Sequence, residues 1–363
     1  MSDKQDKKID INLRCIDYIH DYVEDIPVPI VSKLSGKDFM AYGLNNDMPS
    51  IYVNAVDNCS TLGSVVDTIT TYVSGAGVTD DREIDKQGKM LSELLESLVF
   101  DYISTGAAAV QILRNPYGDI AQLCYVDVTC VRLNEDGTYV YYSKNWGKYN
   151  RDIRKYDRWE KGSKSPNSIM YIKNPKSRDI YGVPVWNSSL RDALTMIEAS
   201  KANYNSILNQ FTPNTLISFN SGIPDPETKD QMERSVLEKY TGSNGTKIFM
   251  TWCDSADTAP TVQNFSAEDY TEKYNAIMET SKTNILSAFR VSPQLVGIPN
   301  NTGFASEEYE DAYKLLYSTQ IRPIQDYFEK QFAKLNINFK FNEFKINFSK
   351  PGEQNNNEVN TVE

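Results

Sequence analysis

An α+β fold is predicted by three observations. Apolar residues recur at helical spacing in several separate windows. Between residues 108 and 174 the pattern changes to runs rich in Val, Ile, Tyr and Thr, divided by turn signals. Between residues 185 and 290 two long helical windows enclose a short strand–helix–strand insertion. With 363 residues, 40% of them hydrophobic, the chain can build two or three domains or one large core with an extension.

Taken in order, residues 1–25 begin as charged coil. Ile11, Leu13, Ile16 and Ile19 then suggest a short helix or strand that docks elsewhere. Residues 26–49 carry Pro27, Pro29, Gly36, Gly43 and Pro49 and read as loop. From Ser50 to Val73 an apolar stripe (Ile51, Val56, Leu62, Val65, Val66, Ile69) predicts helix, broken near Cys59–Ser60 and capped at Gly75. Met90 to Ser104 predicts a second helix, ended by Gly106. Residues 108–115, 122–134 and 138–146 read as strands joined in antiparallel hairpins at Asn115–Asp119 and Asn134–Gly137. Residues 145–167 read as a basic loop and 168–174 as another strand.

Gly182 and Pro184 open a long helix to about Phe211, because proline costs no hydrogen bond at a helix start. Residues 215–220 and 245–252 read as strands flanking a helix, so a parallel pair with a crossover is expected. A helix over 267–289 follows, then a connector from Val291 to Phe304 punctuated by Pro293, Gly297 and Pro299. The last helix, 305–335, has Glu307, Glu308, Glu310 and Asp311 at its positive end and Pro323 inside, where a kink is expected. Residues 337–349 alternate strictly and predict a strand returning to the earlier sheet; 350–363 read as a disordered polar tail.

Composition narrows the function. A net charge of −11 disfavours tight, non-specific DNA binding, which depends on neutralising phosphates. One histidine, His20, leaves no multi-histidine metal site, and a Ser–His–Asp arrangement would need His20 itself. Five cysteines without a CxxC pair fit a reducing compartment. No signal peptide or membrane helix is expected, since there is neither an apolar h-region nor a run of 18 apolar residues. No cofactor is expected: the nearest approach to a phosphate loop, Gly242 to Lys247, has the wrong spacing and precedes a strand. The 23 tyrosines fit either extensive interfaces or a compositional habit.

Two other chemistries remain open on residue types. The stretch 144–164, with Arg151, Arg154, Lys155 and Arg158 interleaved with Trp146, Tyr149, Tyr156 and Trp159, could stack and clamp a nucleic acid or meet an acidic neighbouring subunit. A carboxylate-dependent hydrolase is the weaker reading, because the carboxylates at Asp225–Glu227 and Glu307–Glu308 sit at helix starts and no pKa-shifting neighbour is evident.

The order of elements resembles the tailed-bacteriophage portal proteins, especially the compact HK97-like type. The resemblance covers about residues 40–349. It rests on YGLNNDMPSIY (from Tyr42), YVSGAGV (from Tyr72), the helix from Asp179 to Leu208, FTPNTLISF (from Phe211) and, above all, SAFRVSPQLVGIPNNTGFASEEYEDAYKLLYSTQIRPIQDYFEKQF (from Ser287). The resemblance implies a mixed α/β wing over 50–184 rejoined by 337–349, stem helices 185–210 and 267–290, a small β-α-β clip over 211–266, a channel loop over 291–304 and a long kinked helix over 305–336, after an arm and entry loop over 1–49. It implies a virion protein, assembled in the host cytoplasm, that forms a ring of about twelve copies at one capsid vertex. Double-stranded DNA would pass its channel loop (Pro299, Asn300, Asn301, Thr302, Gly303), and no enzymatic activity is implied. Its clip (Asp225, Glu227, Lys229, Asn244, Lys247) would meet the terminase large subunit and a head-tail adaptor, with the major capsid or scaffold protein as a further partner. The basic run 144–164 matches no motif of the family; on charge complementarity in an acidic chain, Arg151, Arg154, Lys155 and Arg158 are expected at subunit contacts. Little chain follows residue 349, so a helical crown is not expected.

Overall fold

The structure, a computed structural model, describes residues 14–15, 27–34, 36–146, 152–208, 215–219, 225–231, 234, 248–252, 267–298 and 306–344. In chain order the strands are β1 (Arg14–Cys15), β2 (Val31–Lys33), β3 (Met40–Tyr42), β4 (Ala107–Arg114), β5 (Ile120–Val126), β6 (Val131–Leu133), β7 (Tyr139–Tyr142), β8 (Arg154–Arg158), β9 (Asn167–Lys173), β10 (Thr215–Phe219) and β11 (Ile248–Trp252). The α-helices are α1 (Met48–Asn58), α2 (Ser60–Ser74), α3 (Leu91–Thr105), α4 (Leu190–Leu208), α5 (Ala267–Phe289), α6 (Ser306–Leu316) and α7 (Arg322–Ala333). The chain divides into two compact units, residues 1–25 with 195–280 and residues 26–194 with 281–363.

In the first unit β10 and β11 pair in parallel, Thr215 opposite Ile248 through Phe219 opposite Trp252. Residues 226–231 between them are helical. A parallel pair needs such a crossover. β1 adds antiparallel to β11, so part of the amino-terminal stretch completes this sheet.

The second unit holds a six-stranded sheet in the order β5-β4-β9-β8-β7-β6. Its pairs are antiparallel except β8 with β9. The expected single strand 122–134 is two strands at opposite ends of the sheet. A 3-10 turn over Val128–Cys130 divides it, and Asp127 Oδ1 caps that turn by accepting from Thr129 N at 2.8 Å. The link from Val126 to Val131 spans at most about 18 Å, whereas six flat strands would hold their edges about 24 Å apart. The sheet therefore curls. The expected loop 145–167 contains β8, a strand that RKYDR conceals because charged side chains hide its alternation. Likewise, the expected loop 26–49 contains the β2–β3 hairpin.

α1, α2 and α3 pack against one another, and α3 packs on β4. Leu62, Val65, Val66 and Ile69 of α2 and Leu91, Leu94, Leu95 and Leu98 of α3 are buried, each worth about 1.5–3 kcal/mol of apolar burial. The break between α1 and α2 falls at Cys59, which adopts an extended conformation. Gly75 ends α2 with helical dihedrals, and the left-handed residue falls at Gly77 instead.

Several tyrosines have an internal explanation. Residues 181–184 are irregular and lead into a 3-10 turn over Val185–Ser189, and the buried backbone of Gly182 needs partners. Tyr42 Oη donates to the Gly182 carbonyl at 2.7 Å, and Tyr171 Oη accepts from Gly182 N at 3.3 Å. Tyr181 Oη donates to the Met40 carbonyl at 2.6 Å, and Tyr52 Oη donates to Asn187 Oδ1 at 2.7 Å. Trp186, fully buried, donates from Nε1 to the Ile103 carbonyl at 3.1 Å.

The last helical stretch is interrupted, as Pro323 requires, and the form of the interruption is a π turn over Tyr317–Ile321 between α6 and α7. Proline removes the N–H that would serve Thr319, and a π bulge absorbs such a defect. The Thr319 and Ser318 hydroxyls both donate back to the Leu315 carbonyl, at 2.7 and 3.1 Å.

Residues 337–344 correct another expectation. They are extended but do not join the six-stranded sheet; Phe341 makes one antiparallel bridge to Val78 just beyond α2. Ile337, Phe339 and Phe341 are buried. Lys340 Nζ and Arg322 Nη1 both donate to the buried Glu329 carboxylate, which joins this segment to α7. The alternation read from the sequence is real, but its inward face packs on helices. Residues 345–363 lie outside the described residues.

Candidate functional site

The connector after α5 is more structured than its composition suggested. Arg290 turns the chain with φ 54°, Pro293–Val296 form a 3-10 turn, and Gly297 ends it in a left-handed conformation at φ 77°. Val291, Gln294 and Leu295 are buried. Of the expected loop 291–304, the half up to Ile298 is thus packed against the protein. Pro299, Asn300, Asn301, Thr302 and Gly303 lie outside the described residues.

Both chain ends that flank residues 299–305 meet at the last turn of α2. Tyr72 Oη lies 3.4 Å from the Leu295 carbonyl, to which it donates, and 3.0 Å from Tyr309 Oη on α6. Gln294 Nε2 donates to Glu308 Oε2 at 3.4 Å, a second link between the two ends. Gln325 of α7 donates to the Val73 carbonyl at 3.0 Å, and Gln320 of the π turn donates to the Phe289 carbonyl at the end of α5. Sequence reasoning missed this junction. Its partners lie hundreds of positions apart, and no local signal marks Tyr72 among 23 tyrosines.

Asp225 and Glu227 are exposed at the start of the helical turn at 226–231. Asp225 caps it: Oδ2 accepts from Thr228 N at 3.2 Å and Oδ1 from the Thr228 hydroxyl at 2.7 Å. The Thr228 side-chain hydrogen bond holds the Asp225 carboxyl below its usual range. Lys229 follows in the same turn, half-buried. Asn244 and Lys247 lie outside the described residues.

Arg154, Lys155 and Arg158 lie on β8, and Arg151 lies outside the described residues. Arg154 is exposed, with Nε 3.7 Å from Asp152. Lys155 Nζ sits 3.6 Å from the centre of the Tyr139 ring, and Arg158 donates to the Gly137 carbonyl at 3.1 Å. The tryptophans of this stretch have partners within the protein. Trp159 is buried, and Trp146 packs edge-on against Phe39 at 4.8 Å with the Arg132 guanidinium 5.0 Å from its ring. Burial of Trp159 and the engagement of Trp146 by Phe39 and Arg132 weigh against a stack-and-clamp nucleic-acid site in the described part of 144–164.

One carboxylate departs from the expectation that none has a pKa-shifting environment. A cleft of about 650 Å3 between the α1–α3 layer and β5 is lined by Asp67, Glu96, Phe100, Asp101, Tyr125 and Asp127, among others. Asp101 is buried there and accepts from Tyr125 Oη at 2.9 Å. Burial pushes its carboxyl up to about 7, and Asp127 adds to the rise. The signal was present in the sequence, since Asp101 interrupts the apolar face of α3 between Val99 and Tyr102. Among the described residues no group of three or more His, Cys, Asp or Glu could hold a metal ion, and no helix is long and apolar enough to cross a membrane.

These features define an α+β protein in which a curled sheet and a helical layer hold a connector between two long helices. The chain belongs to the phage portal protein family, whose sequence profile matches residues 88–357, well over half its length. A protein of Haemophilus phage HP1 (strain HP1c1) described as a probable portal protein is 23% identical over 252 residues, covering 66% of this chain and 68% of that protein. Among solved structures, the chain is similar to one from the neck of a native gene transfer agent particle computed with C12 symmetry, with a TM-score of 0.55 and 16% identity over 83% of this chain and 85% of that one. A chain from the virion of a native gene transfer agent particle gives a TM-score of 0.53 and 15% identity, covering 81% of this chain and 82% of that one. At such identities these structures establish the fold.

Proposed function

We propose that this chain is a portal subunit that closes, in about twelve copies, into a ring at one capsid vertex, through which double-stranded DNA is packaged and later ejected. The family match across residues 88–357 carries this reading. The C12 symmetry of the similar neck structure supports the copy number. Two further features agree with it. Tyr204 of α4 and Ile277 of α5 are 62% and 45% exposed in the single chain, as expected of stem helices that meet neighbouring copies. The net charge of −11 suits a conduit that DNA must pass without sticking.

In this reading residues 50–184 are the wing, 185–210 and 267–290 the stem and 211–266 the clip. Clip residues Asp225, Glu227, Lys229, Asn244 and Lys247 meet the terminase large subunit and the head-tail adaptor, and the capsid or scaffold protein surrounds the ring. The protein acts as a conduit without chemistry of its own, in the virion, after assembly in the host cytoplasm. Arg151, Arg154, Lys155 and Arg158 contribute to subunit contacts, where complementary charge sets register more than affinity. Reversing Arg154 and Lys155 to glutamate is expected to lower the assembled fraction in analytical ultracentrifugation at physiological salt. An unchanged distribution would remove these residues from the interface.

Residues 299–303 form the channel-facing loop, with Asn300, Asn301 and Thr302 as uncharged polar tips. Deleting 299–303 is expected to leave ring mass unchanged while reducing the DNA protected inside particles at least tenfold, read by nuclease protection. Normal packaging by the deletion variant would defeat the channel-loop assignment.

A further inference from the structure

We infer that Tyr72 is a positioning residue that sets the separation of the two chain ends flanking residues 299–305 and so couples the end of α2 to the channel loop. The inference rests on the loop assignment above. The Tyr72 ring is held edge-on against Tyr313 at 5.3 Å and tilted against Phe344 at 5.5 Å, which fixes where its hydroxyl points. A phenol has one proton to give and can also accept. When Tyr72 donates to the Leu295 carbonyl, Tyr309 must donate to Tyr72 Oη across the 3.0 Å contact. One buried oxygen thus serves the incoming end through Leu295 and the outgoing end through Tyr309.

The surroundings make this bridge a fixed reference. Tyr72 is 7% exposed, and Leu295 and Gln294 are 4% and 6% exposed, so little water is at hand to replace a lost hydrogen bond. The next residue, Val73, receives Gln325 of α7, which joins the same turn of α2 to the far side of the π turn. A shift of α2 along its axis therefore carries the Leu295 carbonyl and Tyr309 with it. The Gln294–Glu308 link, 3.4 Å like the Tyr72–Leu295 bond, is made by two flexible side chains, whereas the Tyr72 ring is held by its aromatic neighbours.

Tyr72→Phe keeps the ring packing and removes only the shared oxygen. In the assembled ring, backbone amides of Gly297 and Ile298 are expected to exchange with deuterium on the order of tenfold faster. Packaged DNA is expected to fall severalfold, with ring mass unchanged. Tyr327→Phe is the control. It removes a comparable hydroxyl, bound to the Lys173 carbonyl at 2.7 Å, and is expected to leave both readouts unchanged. If Tyr72→Phe does not assemble, Tyr309→Phe reads the same bridge from the outgoing end and is expected to accelerate exchange at Gly297. Unchanged exchange in the assembled variant overturns the inference. Faster exchange with normal packaging also overturns it, provided the 299–303 deletion blocks packaging. If that deletion packages normally, the loop assignment itself fails, and the exchange result alone then decides whether Tyr72 holds the two ends.

Discussion

Gly106→Ala is expected to yield no soluble ring, with a loss of more than about 4 kcal/mol in folding stability. Gly106 has φ 80°, where an added Cβ costs roughly 1–2 kcal/mol by itself. Steric overlap costs more than this strain. That Cβ would lie 2.2 Å from the Val183 carbonyl carbon and 2.5 Å from both Val183 O and Pro184 N, all backbone atoms that cannot rotate away. Gly182→Ala should fail equally, since its Cβ would lie 2.1 Å from the Gly106 carbonyl oxygen. The two glycines let segment 181–187 cross the α3–β4 junction in backbone contact. That crossing seats Trp186 in the core and brings the chain to the start of α4. Gly118→Ala separates strain from contact: φ is 95° and nothing lies within 4 Å, so about 1–2 kcal/mol is expected. Urea unfolding at fixed protein concentration reads all three. A Gly106→Ala protein within about 1 kcal/mol of the parent would show that the crossing adapts.

Asp101→Asn is expected to flatten the pH dependence of stability. An aspartate in an unfolded chain loses its proton near 3.8, whereas burial holds the Asp101 proton to about 7. Between those values the folded state binds more protons than the unfolded one, so stability falls as pH rises. From pH 5 to 7 the loss attributable to this group is roughly 2–3 kcal/mol at one pKa unit per 1.36 kcal/mol, and it levels off about one unit higher. Asparagine keeps an acceptor for Tyr125 Oη without the charge. The variant should match the parent near pH 5 and exceed it at pH 8. Urea midpoints at pH 5, 6.5 and 8 provide the check. Parallel pH profiles for parent and variant would mean that Asp101 titrates as an ordinary carboxylate.

The sequence made the helices legible because their signals are local. The apolar stripes, the break at Cys59, the stop at Gly106 and the interruption at Pro323 all depend on neighbours within a turn or two. The parallel β10–β11 pair could be read from two strand patterns and a helix between them. What could not be read was decided at a distance. β8 has no buried residue, so it shows no apolar alternation, and only its backbone pairing with β7 and β9 makes it a strand. Residues 337–344 alternate as a strand does, yet bury Ile337, Phe339 and Phe341 on helices, and alternation does not say what the inner face will meet. Trp146 and Trp159 fitted either a stacking site or a contact with an acidic neighbour, and what could not be read is that Trp159 is buried and that Phe39 and Arg132 engage Trp146. The junction at Tyr72 joins residues 223 and 237 positions away, beyond any periodicity. Asp101 is the exception, a distant effect with a local sign, because a carboxylate on the apolar face of a helix requires a partner.

Copies of this chain are expected to close a ring around a channel. The most direct test is the mass of the purified protein in solution, with electron microscopy of the same sample. A particle of roughly half a megadalton (about twelve copies of 41.2 kDa) with a central hole is expected. A stable monomer across the micromolar range, with no annular particles, would contradict it.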